Sequence, residues 1–324
     1  MSRFGRVFWG IASLVAAAAL VLGLLNLQAI NDWLRLRKYD PPSAIENIAK
    51  ADTMTDEAKR LFYITHPELI EDAKTFRASC PSFEQTIVLG CYHSGLSSTI
   101  YIYDVPDDRL DGVVEVTAAH EMLHAAYDRL GQDEKNNLNG LLNNYYMKEL
   151  KDKRIIETID SYKKSEPTEL LNEMHSIFAT EIGSLTGELE TYYKRYFINR
   201  DAVVVFADGY ADEFTNRTAK IKGYEERLKV LKSEIESQEQ SLNGQLQQIE
   251  ADRARLDSFR ASGQIAQYNA AVPAFNTLVN SYNAGVERLR ADIAEYNRLV
   301  VAHNELAEEL SSLYESLDTS LKPQ

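Results

Sequence analysis

The sequence predicts a mainly α-helical protein with three parts: an apolar N-terminal transmembrane helix, a small α+β domain and a C-terminal antiparallel helical hairpin. Three observations predict this organisation. Residues Val7–Ile30 carry no charge, a pair of β-rich segments lies within residues 87–103, and heptad repeats run through the last third of the chain. We place the three parts at residues 1–38, 39–202 and 203–324.

Charge and composition exclude several classes of protein. The chain has 49 Asp+Glu against 35 Lys+Arg, a formal net charge of −14, so its body repels phosphate backbones and we expect no nucleic-acid partner. A hydrophobic fraction of 44% excludes a wholly disordered chain. Two cysteines exclude a disulfide-dense scaffold and a four-cysteine metal site.

The uncharged segment Val7–Ile30 is long enough to cross the roughly 30 Å hydrocarbon core of a bilayer as a helix. We therefore expect a single-pass membrane anchor at residues 7–30. A cleaved signal peptide is one alternative, although Asn26–Ile30 offers a poor cleavage site, and a buried hairpin helix is another. Basic residues flank the segment on both sides, so the positive-inside rule decides little about orientation.

The two cysteines favour one orientation. The segments Ile87–Tyr92 and Thr99–Tyr103 look like two strands joined by a His-Ser-Gly turn, and Cys80 would then reach back to Cys91. A disulfide there implies an oxidising compartment, so we expect the body to be extracytoplasmic. Two unpaired buried thiols, or a metal site that adds His93 to the cysteines, are the alternatives.

Heptad repeats predict the helical hairpin. Every seventh residue from Ile221 is apolar, and the column that starts at Tyr224 turns polar in its middle. After a Ser-Gly break at residues 262–263, two further columns start at Val272 and Phe275. This arrangement is typical of an antiparallel coiled coil. A coiled-coil partner or a homodimer is the alternative to pairing within the chain.

The chemistry lies between anchor and hairpin, in the segment His120-Glu121-Met122-Leu123-His124. This is an H-E-x-x-H motif within a helix that we predict over residues 113–130. Histidines four residues apart share one face of a helix and can both bind zinc, and the intervening Glu121 reaches a water on the metal. A helix that carries two histidines by chance is the alternative.

This motif resembles that of the zincin metallopeptidases, in the gluzincin-like arrangement where a downstream helix supplies a glutamate as third ligand. The resemblance is limited to about residues 83–200, and it includes a strand before the motif, as in the substrate-lining strand of these peptidases. The third histidine of the metzincins is absent, because that position is Leu130. The resemblance implies a zinc-dependent peptidase and a peptide or protein substrate.

Helical geometry suggests which glutamate is the third ligand. Glu181 lies about 30° from the centre of the apolar stripe of a helix predicted over residues 168–185, whereas His175 lies about 90° and Glu173 about 110° away. A carboxylate on a buried face needs a cation, and zinc on the two histidines would supply one. We therefore predict Glu181 as the third ligand, with Glu173 and His175 as alternatives. A buried ion pair of Glu181 with Arg195 or Arg200 is the structural alternative.

The function expected from the sequence is metal-assisted hydrolysis of peptide bonds. Zinc would acidify a water, Glu121 would take its proton as general base, and His175 or Tyr127 would donate a hydrogen bond to the oxyanion. Asp128 is a candidate for orienting a ligand histidine, or else a solvated acid at a helix end. The alternative function is a non-catalytic envelope scaffold that acts through its coiled coil and carries a degenerate zincin domain.

Overall fold

The computed structural model describes residues 26–81 and 87–319. They divide into two compact units, Met1–Glu213 with Leu313–Gln324, and Phe214–Ser312. Most of the predicted membrane anchor Val7–Ile30 lies outside the described residues. Within the described ranges, no helix combines the length and the apolar character needed to cross a bilayer. The anchor therefore stays a prediction.

The first unit consists of short helices around a small sheet. Its helices before the sheet are α1 Leu27–Lys38, α2 Ser43–Ala51 and α3 Asp56–Ile64. The central elements are β1 Glu68–Ile70, α4 Ala73–Ser79, β2 Gly90–His93 and β3 Thr99–Tyr103. The helices that follow are α5 Val113–Asp128, α6 Gln132–Lys148, α7 Lys153–Ser165, α8 Leu170–Glu181 and α9 Gly187–Tyr193.

The sheet has the strand order β1-β3-β2. Strands β2 and β3 pair antiparallel, with Cys91 opposite Tyr101, which confirms the predicted β-hairpin. Strand β1 pairs parallel to β3 and was not predicted, because three residues are too few to show an alternating pattern. The disulfide between Cys80 and Cys91 is present, with Cα atoms 5.9 Å apart, and it joins the end of α4 to β2. It excludes a thiolate metal site at these cysteines.

Helix α5 begins where the sequence predicts. Gly112 precedes it with φ +90°, a left-handed conformation that glycine adopts without strain. A Cβ at this position would also lie 2.7 Å from the ring of Phe206. Ten of the sixteen residues of α5 are buried, so the helix forms the centre of the domain and presents its functional side chains from a fixed backbone.

Helix α8 packs closely against α5. It is shorter than predicted, because it begins at Leu170 and ends at Glu181, where Ile182 turns to an extended conformation. Every residue from Glu173 to Thr180 is buried. A helix that is enclosed on all sides has no single core-facing stripe, so its apolar residues do not show which face meets α5.

The second unit is the predicted hairpin. It is built from α10 Asp201–Ala261 and α11 Ile265–Leu317, whose outer ends belong to the first unit. The turn contains Gly263 with φ +73°. The arms are held together by Arg227–Glu295 and Arg217–Glu309 ion pairs, and such long-range pairs confirm antiparallel pairing within one chain.

The predicted column of the second arm that starts at Val272 is partly buried at most positions, including Val286 and Val300. Ile293, in the column that starts at Val272, is 37% exposed. Gly285 instead approaches Leu242 so closely that a Cβ would lie 2.8 Å from its Cδ2 atom, and Asp292 accepts a hydrogen bond from Gln238 at 2.6 Å. A count of apolar residues does not predict a contact made by a glycine and an acid.

Candidate metal centre

The two histidines of the motif lie side by side on α5. The ring centroids of His120 and His124 are 4.7 Å apart, because four residues make slightly more than one turn. His124 is 8% exposed, and both rings line the same open cleft. The helix therefore holds two nitrogens that can bind a metal in fixed positions before an ion binds.

Helix α8 brings Glu173 to both histidines. One carboxylate oxygen, Oε2, lies 3.4 Å from His120 Nε2, and the other, Oε1, lies 3.4 Å from His124 Nε2. One ligand atom from each of the three residues lies within 4.8 Å of the others. Among the described residues this is the only group of three metal-binding side chains so close together.

The spacing fits an ion better than direct hydrogen bonds. Two ligands that each lie about 2.0–2.1 Å from a tetrahedral zinc are about 3.3–3.4 Å apart, whereas an N–H···O hydrogen bond is usually about 2.9–3.0 Å long. Glu173 Oε2 is also buried without a hydrogen-bond partner among the described residues. Two imidazole nitrogens and one carboxylate are a donor set of catalytic zinc sites. The residues present therefore fit zinc.

The electrostatic surroundings favour a charged carboxylate at Glu173. Burial by itself would raise the pKa of this side chain, but His124, His120 and a hydrogen bond with Tyr162 outweigh burial and hold the pKa below its usual value. The carboxylate is thus ionised in the neutral pH range. An ionised carboxylate is the form that binds a metal.

Glu121 stands beside the histidines in the same cleft. It is 7% exposed, and its side chain packs against the backbone of β2 at Gly90. A Cβ at Gly90 would lie 2.8 Å from Glu121 Cγ and 2.5 Å from Thr117 Cγ2. Only a glycine allows this close approach of strand and helix, which sets the position of the Glu121 carboxylate.

The cleft has a volume of about 950 Å³. Strand β2 forms one side, helix α5 carries the histidines, and residues of α7 and α8 complete the wall. Because the strand order is β1-β3-β2, β2 is an edge strand with one neighbour among the residues that the structure describes, and it borders the cleft. An open cleft of this size admits a segment of polypeptide.

The structure does not bring Glu181, the predicted third ligand, to the two histidines. The Glu181 carboxylate lies at the C-terminal end of α8 and forms an ion pair with the Arg154 guanidinium. Glu181 still lines the cleft, but Glu173, the predicted alternative, is the carboxylate beside the histidines. The physical cause is the complete burial of α8, which makes the apolar stripe a poor guide to the side that meets α5. The buried ion pair was the structural alternative, but its partner is neither Arg195 nor Arg200.

His175, the predicted oxyanion donor and alternative ligand, is not among the residues that line the cleft. Its side chain is fully buried, with the rings of Tyr127, Tyr192 and Tyr193 within 5.6 Å. Burial, followed by the nearby His124 and His120, lowers the pKa of His175 to about 3. A neutral histidine within an aromatic cluster has a packing role.

Tyr127 and Asp128 do line the cleft. The Tyr127 hydroxyl donates to Asn139 Oδ1 at 2.9 Å. Asp128 accepts a hydrogen bond from the Tyr92 hydroxyl at 3.1 Å, which joins the end of α5 to the edge strand. Asp128 therefore helps to hold β2 against α5, and its hydrogen-bond partner is Tyr92 rather than a histidine of the motif.

Sequence reasoning missed two residues of the site. Gly90 lies within a β-rich segment, and an isolated glycine in a strand is a signal for close approach by another element. Tyr162 reaches Glu173 from α7, and a contact between residues from separate helices leaves no signal in the spacing of one sequence.

Three comparisons were made with known proteins, and no protein family, no curated protein and no solved structure matches this chain. The zincin resemblance therefore rests on the H-E-x-x-H motif, and the zinc site rests on the geometry of His120, His124 and Glu173.

Proposed function

We propose that this protein is a membrane-anchored, outward-facing zinc-dependent metallopeptidase. The observation that carries the proposal is the convergence of His120, His124 and Glu173 at zinc-ligand spacing, with Glu121 in the same cleft. The three ligands come from two helices that are packed against each other, so the site is preorganised.

The residues of the cleft would have separate roles in peptide hydrolysis. His120, His124 and Glu173 hold the zinc ion, which when bound supplies a Lewis acid that acidifies water and polarises a carbonyl. Glu121 accepts the proton of the attacking water and donates it to the leaving amine. Tyr162 holds the Glu173 carboxylate through a hydrogen bond, as outer partners of metal ligands do.

The edge strand supports an extended peptide as substrate. Strand β2 lies at the border of the sheet and lines the cleft from Gly90 to His93. A peptide that adds to such an edge forms main-chain hydrogen bonds, which are independent of side-chain identity. This arrangement favours peptide hydrolysis over hydrolysis of a compact small molecule.

The orientation of the proposed anchor is supported by the disulfide. A bridge between Cys80 and Cys91 persists in an oxidising compartment, which supports a body outside the cytoplasm. We expect thiol labelling of denatured, unreduced protein from cells to modify neither cysteine. Labelling of both cysteines would reverse the orientation.

The direct test is Glu121→Gln. The substitution preserves side-chain shape but removes the proton acceptor, so cleavage of unstructured peptides should fall by about 10²–10⁴-fold. The zinc content of the variant should equal that of the wild type, because Glu121 is not among the three ligands. Glu115→Gln, on the same helix but outside the cleft, is the matched control and should retain full activity.

Two outcomes would contradict the proposal. If the zinc-loaded wild type cleaves no peptide, the alternative of a scaffold with a degenerate zincin domain gains support. If Glu121→Gln is as active as wild type, the observed cleavage arises from another group or from a contaminant. A chelator should abolish wild-type cleavage, and added zinc should restore it.

A further inference from the structure

Helix α1 docks on the domain through its polar side. Arg35 donates hydrogen bonds to the backbone carbonyls of Ile64 at 2.6 Å and Ser98 at 2.8 Å. Asp32 is 9% exposed and pairs with Arg129 of α5 at 3.2 Å, and Asn31 donates to the Leu96 carbonyl at 2.8 Å. These contacts fix how the helix is rotated about its axis.

This rotation leaves the apolar side of α1 facing outward. Leu27, Ile30 and Leu34 are 44–47% exposed and Trp33 is 55% exposed. Leu96, in the turn between β2 and β3, is 60% exposed and joins α1 through the Asn31 hydrogen bond. We call these five residues the α1 patch. A cluster of large apolar side chains on the outside of a helix marks an interaction surface.

Basic residues accompany the apolar ones. The Arg37 guanidinium carbon lies 5.2 Å from the centre of the Trp33 ring, and Lys38 follows at the end of the helix. Tryptophan with arginine and lysine is typical of the interface between lipid headgroups and acyl chains. Lys and Arg on an interfacial helix are attracted to anionic headgroups of whichever leaflet the helix meets.

The sequence before α1 indicates what covers the patch. The uncharged segment Val7–Ile30 includes the first four residues of α1, from Leu27 to Ile30. A chain that leaves a bilayer at this point places the rest of α1 at the lipid surface. We propose that the α1 patch lies in the interfacial layer of a bilayer with anionic headgroups. This inference rests on the membrane anchor of the proposed function.

The proposal has a consequence for the substrate. Leu96 is two residues from Ser94, which lines the cleft, and two residues span at most about 7 Å. Contact of the α1 patch with lipid therefore holds one end of the cleft close to the membrane surface. Segments of polypeptide next to a membrane are then the substrates that this cleft reaches.

The test uses the full chain, whose two tryptophans are Trp9 and Trp33. Trp9→Phe leaves Trp33 as the single tryptophan, which is excited selectively over the tyrosines, in protein reconstituted in phosphatidylcholine–phosphatidylglycerol vesicles. We expect strong quenching by lipids brominated near the headgroup, weaker quenching by lipids brominated near the chain end, and little quenching by aqueous acrylamide. The charge-reversing pair Arg37→Glu and Lys38→Glu should abolish most of the headgroup quenching. The same reversal at Lys151 and Lys153, exposed residues next to and in α7, should leave it unchanged.

Three outcomes would overturn the proposal. If the protein floats with the vesicles but acrylamide quenches Trp33 freely, the anchor holds and the α1 patch does not touch lipid. If Trp33 is shielded from both acrylamide and brominated lipid, a protein surface covers the patch. If the protein does not float with the vesicles, the anchor and the lipid contact both fail, while zinc binding and peptide cleavage stand on their own tests.

Discussion

The two ends of α8 each carry a glutamate in the same cleft, and the two glutamates have different partners. Glu173, in the first turn, has two histidine nitrogens at 3.4 Å, whereas Glu181, in the last turn, is paired with the Arg154 guanidinium. The first arrangement leaves a buried oxygen without a hydrogen-bond partner in the described part of the chain, and the second satisfies its carboxylate directly. The two glutamates line the same cleft, but only Glu173 lies beside the histidines and keeps an oxygen available to an ion.

The largest expected effect is the loss of zinc affinity when Glu173, near the N-terminus of α8, is replaced. Glu173→Gln replaces a charged ligand with a neutral amide. Loss of an outer partner of a metal ligand costs about 10–100-fold in affinity, so loss of a direct ligand should cost more than about 100-fold. Competition titration with a chromophoric chelator measures this change. Equal affinity in Glu173→Gln and wild type would remove Glu173 from the site.

Asp52 shows what burial does to a carboxyl group that has neither a histidine nor an arginine as partner in the part of the chain that the structure describes, and it can be compared with both glutamates. Asp52 is fully buried, and neither of its oxygens has a hydrogen-bond partner among the described residues. Burial, with a smaller contribution from Glu115, raises the pKa of Asp52 well above its usual value. The folded protein therefore binds this proton more tightly than the unfolded chain, and stability from this group falls as pH rises above the unfolded pKa.

Asp52→Asn should abolish the fall in stability that Asp52 causes as pH rises. We expect the free energy of unfolding at pH 7 to rise and the gain to shrink toward pH 4. Urea unfolding at a series of pH values measures both. A gain that does not depend on pH would mean that Asp52 has no raised pKa.

The smallest expected effect is the change in stability when Glu181, the last residue of α8, is replaced. Glu181→Gln removes the charge that faces Arg154, whose side chain is 39% exposed, so solvent screens the pair. The free energy of unfolding should fall by about 1 kcal/mol, while zinc affinity stays within a few-fold of wild type. Melting curves at saturating zinc, together with a zinc titration, separate the two quantities. A stable variant with weakened zinc binding would return Glu181 to the metal site.

Features with a strict period were predictable from the sequence. Helix α5 with its motif, the antiparallel arms α10 and α11, and the β2–β3 hairpin each repeat one spacing over several residues. The disulfide followed from the position of Cys80 before that hairpin. These features depend on residues close together in the sequence.

Features that depend on how separate elements meet were not predictable. Glu173 rather than Glu181 lies beside the histidines, and because every residue from Glu173 to Thr180 is buried, the apolar residues of α8 give no direction. The parallel strand β1 depends on β3, about thirty residues later, and is too short to show a pattern. Gly285 and Asp292 pack in the hairpin although neither is a hydrophobic residue. In each case the information lies in a contact with a distant segment.

The most direct test of the central claim is a crystal structure of the zinc-loaded protein with anomalous diffraction at the zinc edge. The predicted result is one peak about 2.0–2.2 Å from His120 Nε2, His124 Nε2 and a Glu173 oxygen, with Glu181 still paired to Arg154. A peak bound by Glu181, or no peak between the two histidines in crystals grown with zinc, would contradict the account.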